Sequence, residues 1–209
     1  MEAVVEARRE YMIMIQECMV PEMSNTFLRM YDDTEEMLRG GRGRVAKFKE
    51  ISSEISEWSD NTVDVHVERI KAECPWFDKL IEASIVSLVQ ILKSVKINSQ
   101  SVKLSLTIPS TSEFVRKCYK AAQVLICKSP EFLTDDDHRE SGLVARITKA
   151  IDVVIRSYVP LQNIITMNIS APDEPEPEYE SEPEPEETKT IEETKTIVED
   201  DVLMPDATE

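Results

Sequence analysis

The chain predicts an all-α body with an acidic appendage, and three observations carry that reading. Apolar residues recur at intervals of three and four over most of residues 1–170, the period of an amphipathic helix. Four glycines in 209 residues are too few for a turn-rich β fold. Composition then changes abruptly: from Ala171 to Glu209 there are 16 Asp or Glu against only Lys189 and Lys195, a net of −14 out of −17 for the whole chain. This divides the chain into a near-neutral helical bundle, 1–170, and an extended or disordered Pro/Glu-rich tail, 171–209. The tail has too few apolar groups to offset the entropy of ordering itself.

The elements follow in order. Residues 3–19 place Val4, Arg8, Tyr11 or Met12, Ile15 and Met19 on one face, and Pro21 is expected to end or kink that helix. The helix over the first 20 residues belongs either to the body or to an arm reaching outward. A second helix runs from Met23 to Leu38 and is broken by Gly40-Gly-Arg-Gly43. Val45, Phe48, Ile51, Ile55 and Trp58 predict one amphipathic helix. Ser59-Asp-Asn-Thr62 supplies cap residues for the next, which buries Val63, Val67, Ile70 and Cys74. Val63, Val65 and Val67 would also alternate as a strand. Pro75 suits the first turn of a helix from Trp76 to about Ile97, apolar on more than one face and read as the centre of the body.

Val102-Lys-Leu-Ser-Leu-Thr-Ile108 alternates with period two, the one strand-like segment. With no second strand to pair with inside the body, it reads as a hairpin fragment or a segment that pairs with another chain. Ser110-Thr-Ser-Glu113 resembles a capping box ahead of Phe114, Val115, Cys118, Ala122, Leu125 and Ile126. Ser129-Pro130-Glu131 starts a short helical turn. Asp135-Asp-Asp137 then favours a helix N-terminus carrying Leu143, Ile147, Ile151, Val154 and Tyr158. Leu161, Ile164, Ile165 and Ile169 close the body after Pro160. In the tail, Glu174-Pro-Glu-Pro-Glu178 recurs as Glu182-Pro-Glu-Pro-Glu186, and Glu-Glu-Thr-Lys-Thr-Ile repeats to Ile191 and Ile197. Alternating proline and like charge favour an extended chain.

Chemistry is sparse. No phosphate-binding glycine motif is present, and Arg39-Gly-Gly-Arg-Gly-Arg44 reads as a turn between helices. The two histidines, His66 and His138, stand in no recognisable catalytic or metal-ligand spacing; His138 marks a helix start, and His66 sits at the boundary of an apolar face. Trp58, Trp76 and Phe77 read as core. Cys18, Cys74, Cys118 and Cys127 have no framework spacing and read as reduced thiols. The expectation is therefore no enzyme, no catalytic residue, no metal and no cofactor. The start MEAVVEARRE suggests no signal peptide, and the most apolar window, Phe77–Ile97, is interrupted by five charges, too many for a membrane span. That places synthesis in the cytosol. With a body net of −3 and no basic stripe, direct nucleic-acid binding is not expected. Candidate partner-binding residues are Val102, Leu104, Leu106 and Ile108 in the alternating segment. In the tail they are Glu174, Glu176, Glu182, Glu184, Ile191, Ile197, Val202 and Leu203, with basic protein surfaces as the complement.

Met19-Val-Pro21, Phe27, Tyr31, Phe48, Ile55-x-x-Trp58, Cys74-Pro-Trp-Phe-Asp-Lys-Leu80, Ile91-Leu-x-Ser-Val95, Leu104-x-Leu-Thr-Ile-Pro109 and Phe114-x-x-Lys-Cys-Tyr119 form an ordered series. In that order and spacing it resembles a mostly uncharacterised family of nucleocytoplasmic large DNA viruses, closest to the member carried by chlorella viruses. The resemblance spans about residues 18–165 and omits the tail. It implies a virion protein, a minor capsid protein on the inner face of the shell beside the inner viral membrane. Its implied partners are the major capsid protein and other minor capsid proteins. A second reading, from tail composition, is an acidic adaptor or chaperone for basic proteins of the histone or DNA-packaging kind.

Overall fold

The structure is a computed structural model that describes residues 2–38, 42–94 and 106–164. The body is all-α: among the described residues there is no strand. Six α-helices run in the order α1 (Glu2–Leu38), α2 (Arg44–Ser53), α3 (Asp60–Glu73), α4 (Phe77–Ser94), α5 (Thr111–Lys128) and α6 (Asp136–Ser157). Short 3-10 turns, Glu54–Glu57 and Pro130–Thr134, follow α2 and α5, and one helical turn covers residues 161–164.

The first departure from expectation is Pro21. It lies inside one continuous 37-residue helix, α1, about 55 Å long. A proline in a helix interior forfeits one backbone hydrogen bond, a cost of about 3 kcal/mol. Against it stands a single buried stripe that crosses the proline: Met12, Ile15, Met19, then Met23, Phe27 and Tyr31. Each fully buried side chain of this size contributes about 1.5–3 kcal/mol, so the three beyond Pro21 outweigh the lost bond. Within the first 20 residues Met12, Ile15 and Met19 are buried in the body, while residues 2–11 are exposed or half-buried.

The predicted helix from Val45 to Trp58 is also divided. Its α-helical part stops at Ser53, and a 3-10 turn carries Ile55 into the core, leaving Trp58 half-buried with extended backbone. The tighter turn swings the chain toward Ser59, whose side-chain oxygen accepts the Thr62 N–H and caps α3. Helix wins over strand in this stretch because Val63, Val67 and Ile70 are buried while Val65 is exposed. Ser110 caps α5 in the same way, accepting from Glu113 N–H, and Asp135 caps α6, accepting from Asp137 N–H.

α1, rather than α4, is the hub. It packs against α2, α3, α4 and α6, while α5 and α6 lie antiparallel against each other. α4 buries Phe77, Leu80, Ile81, Ile85 and Val89, but its other apolar face, with Val86, Leu88 and Ile91, is only half-covered. Trp76, expected in the core, is 48% exposed where the chain turns into α4. The strand-like segment enters the described part at Leu106, and residues 106–110 are irregular backbone. No helix among the described residues is long and apolar enough to cross a membrane.

Candidate functional site: a buried polar hub and a lysine-rimmed groove

Of the candidate partner-binding residues, only Leu106 and Ile108 are in the described region. Leu106 is half-buried against the core and Ile108 is 37% exposed, so the side chains split between packing and solvent. Val102, Leu104, Glu174, Glu176, Glu182, Glu184, Ile191, Ile197, Val202 and Leu203 lie outside the described residues. His138 sits at the start of α6 as expected, its Nδ1 2.9 Å from Asp135 Oδ2. That hydrogen bond, with the backbone N–H of Asp137 and His138, holds the Asp135 carboxyl below its usual range.

The other histidine is not a boundary residue. His66 is buried on α3 at the place where α1, α3 and α5 meet. Its Nδ1 lies 2.8 Å from Glu22 Oε1 and 3.2 Å from the Tyr119 hydroxyl. A carboxylate only accepts, so Nδ1 carries the hydrogen and donates to Glu22, with Tyr119 oxygen sharing it at longer range. Tyr119 is then free to donate to Thr26 Oγ1 at 3.3 Å, and Thr26 donates to the Glu22 carbonyl at 2.9 Å. Arg69 donates to the same Glu22 Oε1 at 3.0 Å. Trp58 stacks on the imidazole, centroids 4.9 Å apart and planes 14° apart, and Tyr119 lies 4.9 Å from both rings. Arg116 fixes Trp58 from outside, donating to its carbonyl and to Asp60.

Burial drives the Tyr119 phenol well above its ordinary range, so it stays a neutral donor. This arrangement closes on itself. His66 Nδ1, Glu22 Oε1, the Tyr119 hydroxyl and Thr26 Oγ1 are linked to one another, and Trp58 and Tyr119 pack against the imidazole ring. Its chemistry is positioning: Glu22 and Thr26 of α1, His66 and Arg69 of α3 and Tyr119 of α5 are joined by hydrogen bonds. Glu22, directly after Pro21, supplies the charge that anchors the middle of α1. The missed signal was the pairing of His66 with Glu22, 44 residues apart and invisible to periodicity.

All four cysteines are free in the structure, Cys74 and Cys118 buried and Cys18 and Cys127 half-buried. Burial, with help from the neighbouring Cys74 thiol, pushes Cys18 up to about 12. Burial alone raises Cys118 well above the usual thiol range. Among the described residues no group of three or more His, Cys, Asp or Glu is placed to hold a metal.

A shallow, mostly apolar groove lies between α5 and α6. Ala121, Val124, Leu125 and Val153 form its floor, and Lys120 stands at its edge; its volume is about 310 Å³. Val124 is 61% and Val153 45% exposed, unusual for aliphatic side chains placed side by side. A second hollow, about 370 Å³, lies between Tyr31 and the start of α2, with Arg42 and Arg44 on its rim. There Gly43 adopts φ 103°, a left-handed conformation that favours glycine and turns the chain into α2. Arg44 is paired with Glu35 at 2.7 Å.

The described residues thus form a body of packed α-helices in which α1, α3 and α5 are joined by a buried polar network. The chain is a member of DUF5764, a family of unknown function, whose model matches residues 1–133. That span contains α1 to α5 and the whole polar hub, and stops before α6. No curated protein matches the chain. No solved structure matches it either.

Proposed function

We propose that this chain is a structural protein of the virion of a large icosahedral DNA virus, a minor capsid protein that links capsomers and neighbouring minor capsid proteins on the inner side of the shell. The observation that carries this reading is the ordered series of residues by which the chain resembles such a family. Phe27, Tyr31, Phe48, Ile55, Cys74, Phe77, Phe114 and Tyr119 of that series are all core residues of one body. What the resemblance transfers is thus a scaffold, and a scaffold with an anionic tail acts through contacts and not turnover. A tail of net −14 can lie in basic grooves of neighbouring subunits, with its ordering cost met on binding.

The test is cross-linking mass spectrometry on intact particles of the virus encoding the chain. A constant copy number per particle, protection until the shell is opened and cross-links to the major capsid protein are expected. Absence from washed particles, or substrate turnover by the purified protein that a single substitution abolishes, would overturn the proposal. The tail composition also favours a second reading, an acidic adaptor for basic proteins. In that case the purified chain binds histone-like proteins in solution and loses them in high salt.

A further inference from the structure

The hollow between Tyr31 and the start of α2 gathers hydrogen-bond donors that the protein itself leaves unused. We propose that it binds a phosphate group, either the free ion or one carried on a small ester. The inference stands independently of the virion reading.

Tyr31, Arg42, Gly43, Arg44, Val45 and Thr134 line the hollow, whose volume is about 370 Å³. Gly43 is the N-cap of α2 and has no side chain to offer, and the first turn of the helix contains no acid. The first bond inside the helix runs from the Lys47 N–H to the Gly43 carbonyl at 3.0 Å. The N–H groups of Arg44, Val45 and Ala46 are therefore left without an intrahelical partner, at the positive end of the helix dipole.

Tyr31 points to a ligand independently of that helix end. Its residue is only 1% exposed, with Phe48 edge-on at 6.0 Å between centroids and the Arg139 guanidinium 4.9 Å above the ring. Its carbonyl accepts from Thr34, but its hydroxyl makes no hydrogen bond among the described residues. The fully buried side-chain polar atoms without a partner there are Arg8 Nε, Ser24 Oγ and Ser84 Oγ. The Tyr31 hydroxyl is not one of them, so it keeps contact with solvent, and the hollow is an opening that Tyr31 lines. A buried ring thus presents a spare donor to the same space as the helix end.

The charge is of the right sign. Arg42 is exposed and makes no ion pair or hydrogen bond among the described residues. Arg44 gives Nη2 to Glu35 at 2.7 Å, which leaves the other N–H groups of its fork. Glu35 is the carboxylate with which an entering anion shares Arg44. Arg139 and Lys47 are already matched by Asp136 and Glu50. Thr134 supplies no donor, because its hydroxyl is committed to the Glu131 carbonyl at 2.7 Å. A carboxylate has two oxygens in one plane, whereas the donors here are two guanidinium forks, a helix end and a phenol. Tetrahedral phosphate can use all of them, and helix N-termini and arginine forks both suit it.

Amide NMR shifts of the full chain, titrated with inorganic phosphate and with glycerol phosphate, test this. In about 150 mM NaCl, where long-range attraction is screened, the Arg44, Val45 and Ala46 N–H resonances are expected to move and saturate with each probe. The tighter probe tells whether the group is held as the free ion or as an ester. Arg42→Ala alters an exposed side chain and Tyr31→Phe removes one oxygen, and circular dichroism is expected to show both folded. Each should weaken binding by about tenfold. Arg9→Ala, which removes an exposed cation of α1, should leave it unchanged. Resonances that stay in place with both probes overturn the proposal. So does acetate acting as strongly as phosphate, an affinity that Arg42→Ala or Tyr31→Phe leaves intact, or an equal loss with Arg9→Ala.

Discussion

Replacing Gly142 by alanine should destabilise this protein, although it lies inside α6, where alanine is the better helix former. On propensity alone Gly142→Ala stabilises by about 0.5–1 kcal/mol. The tertiary structure reverses the sign. A Cβ at this position would lie 2.3 Å from Phe132 Cδ2 and 2.7 Å from Cγ. The ring is not free to turn aside, because the Arg146 guanidinium is stacked over it at 3.9 Å from the centroid. Arg146 is in turn fixed, donating to the Gly142 carbonyl at 3.0 Å and to the Ser129 carbonyl at 3.1 Å. Forcing a methyl into such a contact typically costs about 1–3 kcal/mol. The net expectation is a loss of about 0.5–2 kcal/mol, which for a chain of this size lowers Tm by about 2–8 °C. Urea unfolding followed by far-ultraviolet circular dichroism measures it. The double variant Gly142→Ala, Phe132→Leu should recover part of the loss, a coupling that a double-mutant cycle isolates. If Gly142→Ala instead raises the urea midpoint, the close approach of Phe132 to the α6 backbone is wrong.

Three further outcomes are expected. Tyr119→Phe keeps the ring stacking but removes the hydroxyl shared by Thr26 and His66, and should cost about 0.5–1.5 kcal/mol in urea unfolding; no change would mean that the hub is held by packing alone. The hydrogen bond from Lys117 holds the Glu113 carboxyl below its ordinary 4.5, so its contribution is complete above the unfolded value and fades as pH falls through the lower folded one. The hydrogen bond to Glu113 raises Lys117 above 10.5, so the same pair is lost again as pH rises through that higher value. Glu113→Gln should therefore narrow the difference in Tm between pH 7 and pH 3, by no more than the equivalent of about 0.5 kcal/mol for so exposed a pair, and an unchanged acid limb would refute the assignment. With its thiol pushed up to about 12, Cys18 should react with a disulfide reagent at pH 8 roughly tens of times more slowly than an ordinary cysteine, and equal rates in folded and unfolded protein would contradict its partial burial.

The local rules were legible in the residues. Ser59, Ser110 and Asp135 cap the helices that their side chains announce, and the three- and four-residue spacing of Val63, Val67 and Ile70, or of Leu143, Ile147 and Ile151, marks the faces that are buried. Such features depend on a few neighbouring positions, so the linear order contains them. Pro21 shows where that stops. The residue argues for a break, and only the partners waiting on both sides, α4 and α6 among them, make one long helix the lower free energy. Val45 to Trp58 shows the same limit in reverse, a periodic run cut by a 3-10 turn so that Ile55 reaches the core.

The amino-acid sequence by itself determined the all-α class, most helix starts and the charge division between body and tail, because these follow from periodicity, cap chemistry and composition. Tertiary structure alone decided that α1 is the hub, that His66 is joined to Glu22 and Tyr119, and that Val124 and Val153 stand exposed in a groove beside Lys120. Each of these depends on side chains from different helices meeting in space. A hydrogen bond across 44 residues, or a groove shared by α5 and α6, exists only once packing has chosen which faces are turned toward each other.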